Sequence, residues 1–147
     1  MSRSVTARVH FEPDRSMRVV IQGPAGTIDA GTTRRSADLW RIAKEAVRAL
    51  SGPGPSDVEV LVDQPPWLRE GMIVQPVADQ IDPDEGTTHP YAQVVGFLPV
   101  GGVMIVHPET GAGVYAPEHL TVIDPMSLDQ DILAGIVQRT GIAAYRN

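Results

Sequence analysis

The sequence predicts an α+β protein in two parts: an N-terminal β-β-α-β unit, then a small five-stranded barrel with a C-terminal helix. Three observations carry this. Two runs near the start alternate apolar and polar residues, the period of a half-buried strand. The stretch Arg34 to Leu50 repeats its apolar residues at helical spacing. Beyond Pro65-Pro66 the chain breaks into short apolar runs separated by Gly, Pro and Asp.

"VTARVHFEP" sets Val5, Ala7, Val9 and Phe11 on one face of a first strand. "PDRS" is a turn and "MRVVIQ" a second strand, so the protein opens with a hairpin. "GPAGTIDAGTT" reads as a Gly-rich loop. In the helix that follows, Leu39, Ile42, Ala43, Ala46, Val47 and Leu50 form the apolar stripe. Thr33 or Ser36 is placed to cap its start, and Gly52-Pro53 to end it. "DVEVLVD" is the third strand and closes a first domain over residues 1–63. Residues 64–69 read as a linker, because Pro65 and Pro66 cannot donate to a sheet ladder. Trp67, directly after them, is expected at the joint between the two halves.

Strands follow at "MIVQPV", "AQVVGFL", "VMIV", "GVY" and "LTVI". "REGMIVQPV" serves as a first strand and the acidic "ADQIDPDEGTTHP" as a long first loop. "HPETG" is a hairpin turn. "GVYAPEHLTVI" supplies a strand, a proline, a single helical turn and a last strand. Together these segments resemble an SH3-like barrel over residues 70–124. The resemblance implies a fold. It does not imply proline-rich peptide binding, because "VMIV" lacks the paired tryptophans of peptide-binding members. Residues 125–147 read as a helix and tail. Ser127 and Gln130 have capping-box spacing, and Asp129 and Asp131 suit the positive end of the helix dipole. Leu128, Ile132, Leu133, Ile136 and Val137 form the apolar face, and Gly141 stops the helix.

The totals exclude whole classes of function. The chain of 147 residues has no cysteine, so disulfide frameworks and thiol chemistry are out. Its start lacks the apolar core of a signal peptide, and no apolar run approaches the ~18 residues of a membrane helix. No membrane association is expected, and the location expected is the cytoplasm, or a virion assembled there. Lys44 is the single lysine. With abundant Arg, Ala, Gly, Val and Pro, this is the composition of a GC-rich genome, such as an actinobacterium or its phages. The net charge of −6 is uneven. Residues 1–63 hold nine basic and eight acidic residues, and residues 64–147 hold three basic and ten acidic, giving +1 and −7. The acidic half repels phosphate backbones.

The candidate chemistry is sparse. Gly26 and Gly31 have P-loop spacing, but Thr32 stands where the lysine belongs, so nucleotide hydrolysis is not expected and the amides offer at most a cradle for an anion. Arg34, Arg41, Lys44 and Arg48 lie along the helix, interleaved with Asp38 and Glu45 at ion-pair spacing. They read as a solvated ion-pair face, or as a surface that docks on an acidic one, the protein's own second half included. His89, His107 and His119 are expected not to share a metal ion, with His107 at the far end of the barrel from the other two. Glu109 and Glu118 sit in turns, without the burial that would shift a carboxyl pKa. No catalytic residue, metal or cofactor is therefore assigned.

What remains is surface. Tyr91, Tyr115 and His119, with Asp82, Asp84 and Glu85 of the long loop, are expected to form one patch. Aromatics beside acids suit a protein partner. The alternative is that the tyrosines are core residues with wet hydroxyls. The function expected is a non-enzymatic interaction or assembly module, such as a phage structural or accessory protein. The alternative is a nucleic-acid-associated regulator using Arg34 to Arg48.

Overall fold

A computed structural model describes residues 3–23, 26–51, 56–77 and 89–145. The chain divides into two compact units. One comprises Met1–Gln64 with Pro99–Gly101, the other Pro65–Leu98 with Gly102–Asn147.

The first unit contains β1 (Arg3–Phe11), β2 (Met17–Gly23), β3 (Gly26–Thr33), α1 (Leu39–Ser51) and β4 (Ser56–Val62). Its sheet has the order β3-β2-β1-β4. β1 and β2 form the expected hairpin, and β4 lies parallel to β1. A parallel neighbour needs a crossover, and α1 is part of it, packing on β2, β3 and β4. The alternation in β1 and β2 delivers Val5, Ala7, Val9, Met17, Val19 and Ile21 to one face. There they meet Leu39, Ala43 and Val47 of α1, with Ile42 and Ala46 partly buried beside them. The side chain of Leu50 and the stop at Gly52-Pro53 lie outside the described residues.

One expectation for this unit is corrected. "GTIDAGTT" is a strand, β3, in register with β2 from Met17↔Thr33 to Gly23↔Gly26. It is an edge strand, and Gly26 to Asp29 are exposed, so no apolar alternation marks it. Backbone pairing specifies it, helped by Ala30 against the core and an Arg18–Asp29 ion pair to β2. Val19 faces Gly31 while Val20 faces Asp29, so Ala30 is the extra residue of a bulge. Gly31 sits there at φ +112°, and its N–H is taken by the Asp29 carboxylate at 2.9 Å.

The second unit contains β5 (Ile73–Pro76), β6 (Ala92–Phe97), β7 (Val103–His107), β8 (Gly111–Tyr115) and β9 (Leu120–Ile123), then α2 (Gln130–Thr140). Single 3-10 turns precede β9 at Pro117–His119 and α2 at Pro125–Ser127. The five strands match the sequence expectation, but they do not close into a barrel. The sheet is open, ordered β8-β7-β6-β5-β9, with β8 and β9 as its two edges. Closure would require a ladder between those edges, and the link between them contains a proline and a 3-10 turn instead. That link is short. Five flat strands would set the edges about 19 Å apart, more than the ~17 Å that five extended steps from Tyr115 to Leu120 can span. The sheet must therefore coil without its seam being zipped.

The second core comprises Leu68, Met72, Val74, Ala92, Val94, Val103, Ile105 and Leu120. Trp67, Phe97, Tyr115 and Tyr145 pack against it. Leu68 and Trp67, from the stretch read as a linker, thus contribute to this core. α2 lies on β6 and β7 and buries Ile136 completely. Its cap is Asp129, whose carboxylate accepts the Asp131 N–H at 2.8 Å. Ser127, the expected cap, is used one turn earlier, donating its hydroxyl to the Asp124 carbonyl at 2.6 Å. Gly141 ends the helix at φ +71°, its N–H on the Val137 carbonyl.

Candidate functional site

The outward face of α1 carries Trp40, Arg41, Lys44 and Arg48. The indole of Trp40 is 48% exposed, which is uncommon for so large an apolar group. Lys44 Nζ lies 5.6 Å from the centre of that ring, a cation–π contact. Arg41 reaches Asp38 at 3.8 Å and Glu45 at 3.6 Å, as the spacing predicts. Among the described residues no carboxylate lies within 4 Å of the Lys44 or Arg48 cation. Arg34 is not part of this row. It precedes the helix and binds Asp14 of the β1–β2 turn through its carboxylate at 2.9 Å and its carbonyl at 3.0 Å. Asp14 is held below the usual carboxylate range, first by the Ser16 hydroxyl. The anion cradle considered for Gly26 to Thr33 is not formed, because that segment is a strand paired with β2.

In the second unit the register of β6 on β7, Gln93↔Val106, carries the residues before β6 past the end of β7. His89 therefore lands beside His107, with ring centres 4.9 Å apart. This corrects the expectation that His107 lies at the far end from His89. His107 is buried. Its Nε2 donates to the His89 carbonyl at 2.7 Å, and its Nδ1 accepts the Glu109 N–H at 3.0 Å and the Thr110 N–H at 3.4 Å. Those partners fix a neutral ring with the proton on Nε2. His89 Nδ1 accepts the Tyr91 N–H at 3.2 Å, and the two rings stack at 5.7 Å. Burial, and then His107, hold His89 below the usual histidine range against the opposing pull of Glu109. The two imidazoles thus serve as backbone acceptors that fasten a turn. Among the described residues no group of three or more His, Asp or Glu could hold a metal ion.

The other members of the expected patch are spread out. Tyr115 pairs with Val103, at the opposite end of the β7–β8 hairpin from the His107–Gly111 pair, and packs against the core. His119 is in the 3-10 turn, and its carbonyl accepts the Val77 N–H at 2.8 Å beside the end of β5. Asp82, Asp84 and Glu85 lie outside the described residues.

Two features carried no signal in the sequence. The first is Gln93, 0% exposed within an otherwise apolar strand. Its amide nitrogen donates to the carbonyls of Gly71 at 3.1 Å, Ile142 at 3.0 Å and Ala143 at 3.4 Å, and its oxygen accepts the Thr140 hydroxyl. Tyr145 N–H also binds the Gly71 carbonyl at 2.9 Å, and Arg69 lies over the Tyr145 ring at 5.5 Å. The segment read as a tail is thereby fastened to the sheet. Gly71 is required there: at φ +93°, a Cβ would stand 2.9 Å from the Ala143 carbonyl.

The second feature is an open groove of about 580 Å³ along α2, lined by Met126, Leu128, Leu133, Ala134, Val137 and Ala143 among others. Ile136 is spent on the core, whereas Leu133 and Val137 form the groove floor. Met126 borders the groove and is 71% exposed. No protein family, curated protein or solved structure matches the chain. No helix among the described residues is long and apolar enough to cross a membrane.

Proposed function

We propose that this protein is a non-enzymatic interaction or assembly module, acting in the cytoplasm or in a particle assembled there. The observation that carries the reading is the groove along α2, bordered by exposed Met126 and floored by the half-buried Leu133 and Val137. Concave apolar surface of this kind marks a site completed by another protein. A phage structural or accessory protein is one concrete version of this reading. The return of β9 to the side of β5 supports an SH3-like reading of residues 70–124.

The test is affinity capture from the native host with the tagged full chain and a Met126→Asp variant, identified by mass spectrometry. We expect a protein held by the wild type and lost by the variant, with both melting at the same temperature. Identical captures would overturn the groove as the binding surface. A second reading, nucleic-acid association through α1, is favoured by the exposed indole of Trp40 among Arg41, Lys44 and Arg48. Titration of DNA and RNA across salt separates the two, because phosphate contacts impose a steep salt slope.

A further inference from the structure

We propose that the partner in the α2 groove is a second copy of this chain: the exposed indole face of α1 in one copy seats in the groove of the next, head to tail. The inference rests on the assembly reading and names its partner.

The two surfaces complement each other in shape and charge. On α1, Trp40, Lys44 and Arg48 are spaced at i, i+4 and i+8, one row along the exposed side of the helix. The row begins with an exposed indole and continues with two cations, Lys44 beside the ring at 5.6 Å, that no carboxylate within 4 Å engages among the described residues. The groove is its converse, a concave apolar floor. Exposed Asp124, Asp129 and Asp131 alternate along the chain with the lining residues Pro125, Leu128 and Gln130. Arg139, the only basic residue of α2, lies about 200° around the helix from Val137 and away from the floor. Seating the Trp40 row in this groove buries the indole and Met126 against each other and brings Lys44 and Arg48 to the aspartates.

The same charges decide the symmetry. A two-fold contact of groove on groove would oppose three aspartates to three aspartates. A two-fold contact of α1 on α1 would oppose Lys44 and Arg48 to themselves. Like charges brought together oppose association, so the attractive contact is α1 of one copy on the groove of another. The chain totals agree, with +1 over residues 1–63 and −7 over residues 64–147. Every copy carries both surfaces, so association continues by mass action beyond the dimer unless a ring closes.

The test uses the full chain in sedimentation velocity and light scattering over a wide concentration range, at low and high salt. The average mass is expected to rise with concentration and to fall as salt is added. Trp40→Ser and Met126→Asp should each remain monomeric. An equimolar mixture of the two should form a dimer and nothing larger, because one retains the groove and the other retains the helix. Circular dichroism establishes that each variant is folded. Should either fail to fold, Lys44→Glu and Asp131→Lys replace them: each alone should weaken association at least tenfold, and their mixture should restore it. A wild type that stays monomeric at every concentration, or variants that do not rescue each other, would overturn the inference. If the wild type is monomeric yet still captures a host protein through Met126, the head-to-tail inference fails and the interaction reading survives.

Discussion

The two sheets of this protein are held by different means. In the first unit the cohesion is apolar and periodic. β1 and β2 send alternate residues inward, and α1 sends every third or fourth. In the second unit the strands are four to six residues long, and polar ties supplement the core. Gln93 fastens Gly71, Thr140 and the segment after α2, and His107 fastens the turn after β7 to the chain entering β6. Short strands bury little area per residue, so a few well-satisfied polar groups are what give the second sheet a single arrangement. The lesson is that periodic burial and buried polar knots are alternative ways to specify a small sheet, and they fail differently when cut.

Ile21→Ala should have the largest effect. Ile21 is fully buried in the first core, and truncation of such a side chain costs about 3 kcal/mol, from lost burial and the cavity left behind. Gln93→Leu should follow at about 2–3 kcal/mol, although it makes the residue more apolar. The carbonyls of Ile142 and Ala143 and the hydroxyl of Thr140 would each lose a partner in a part-buried site. Denaturant unfolding gives both values. Hydrogen exchange separates the mechanisms: Gln93→Leu should expose the Tyr145 amide selectively, whereas Ile21→Ala should raise exchange across β1, β2 and β3. A Gln93→Leu protein as stable as wild type would remove the distinction between the two units.

The histidine tie gives the second unit a pH dependence on the acid side of neutrality. His89 titrates below its ordinary value in the folded chain, chiefly through burial. Near neutral pH the ring is uncharged in both states, and its contribution is fully present. As pH falls through the unfolded value, about 6.5, the unfolded chain takes up the proton first, so stability drops. The loss is complete only below the depressed folded value. Besides burial, the neighbours acting on this ring are His107, which depresses it further, and Glu109, which opposes. A His89→Gln variant should flatten the acid limb of the stability curve. An unchanged limb would assign it to other groups.

Legibility followed the same division. The strands β1, β2 and β4 and the helix α1 were readable because each buries one face and repeats with its own period. β3 was not, because an exposed edge strand is specified by its neighbour's backbone and leaves no apolar period. In the second unit the five strands and the turn before β9 were readable from Gly and Pro punctuation, but closure was not, since it depends on pairing between residues far apart in sequence. The approach of His89 to His107 follows from one register, Gln93↔Val106, which the sequence does not state. Gln93 sits among Ala92, Val94 and Val95 and carries no mark of burial. Trp40 falls on the polar side of its own helix, where periodicity says only that it is out of the core.

The smallest effect tests how each unit starts its helix. α1 is entered through a 3-10 turn whose N-cap, Arg35, makes no side-chain bond to the helix, and the Thr33 hydroxyl accepts the Arg35 N–H at 3.1 Å and donates to the Arg35 carbonyl at 3.5 Å, both before it begins. α2 is capped directly by Asp129, and the acid also sits at the positive end of the helix dipole. Asp129→Ala should therefore cost about 1 kcal/mol, the usual price of a lost cap. Ser127→Ala should cost less, because that hydroxyl closes a solvent-exposed turn and leaves the amides of α2 satisfied. Urea unfolding of the two variants side by side decides it. A larger loss for Ser127→Ala would return the cap to the position that the capping-box spacing implies.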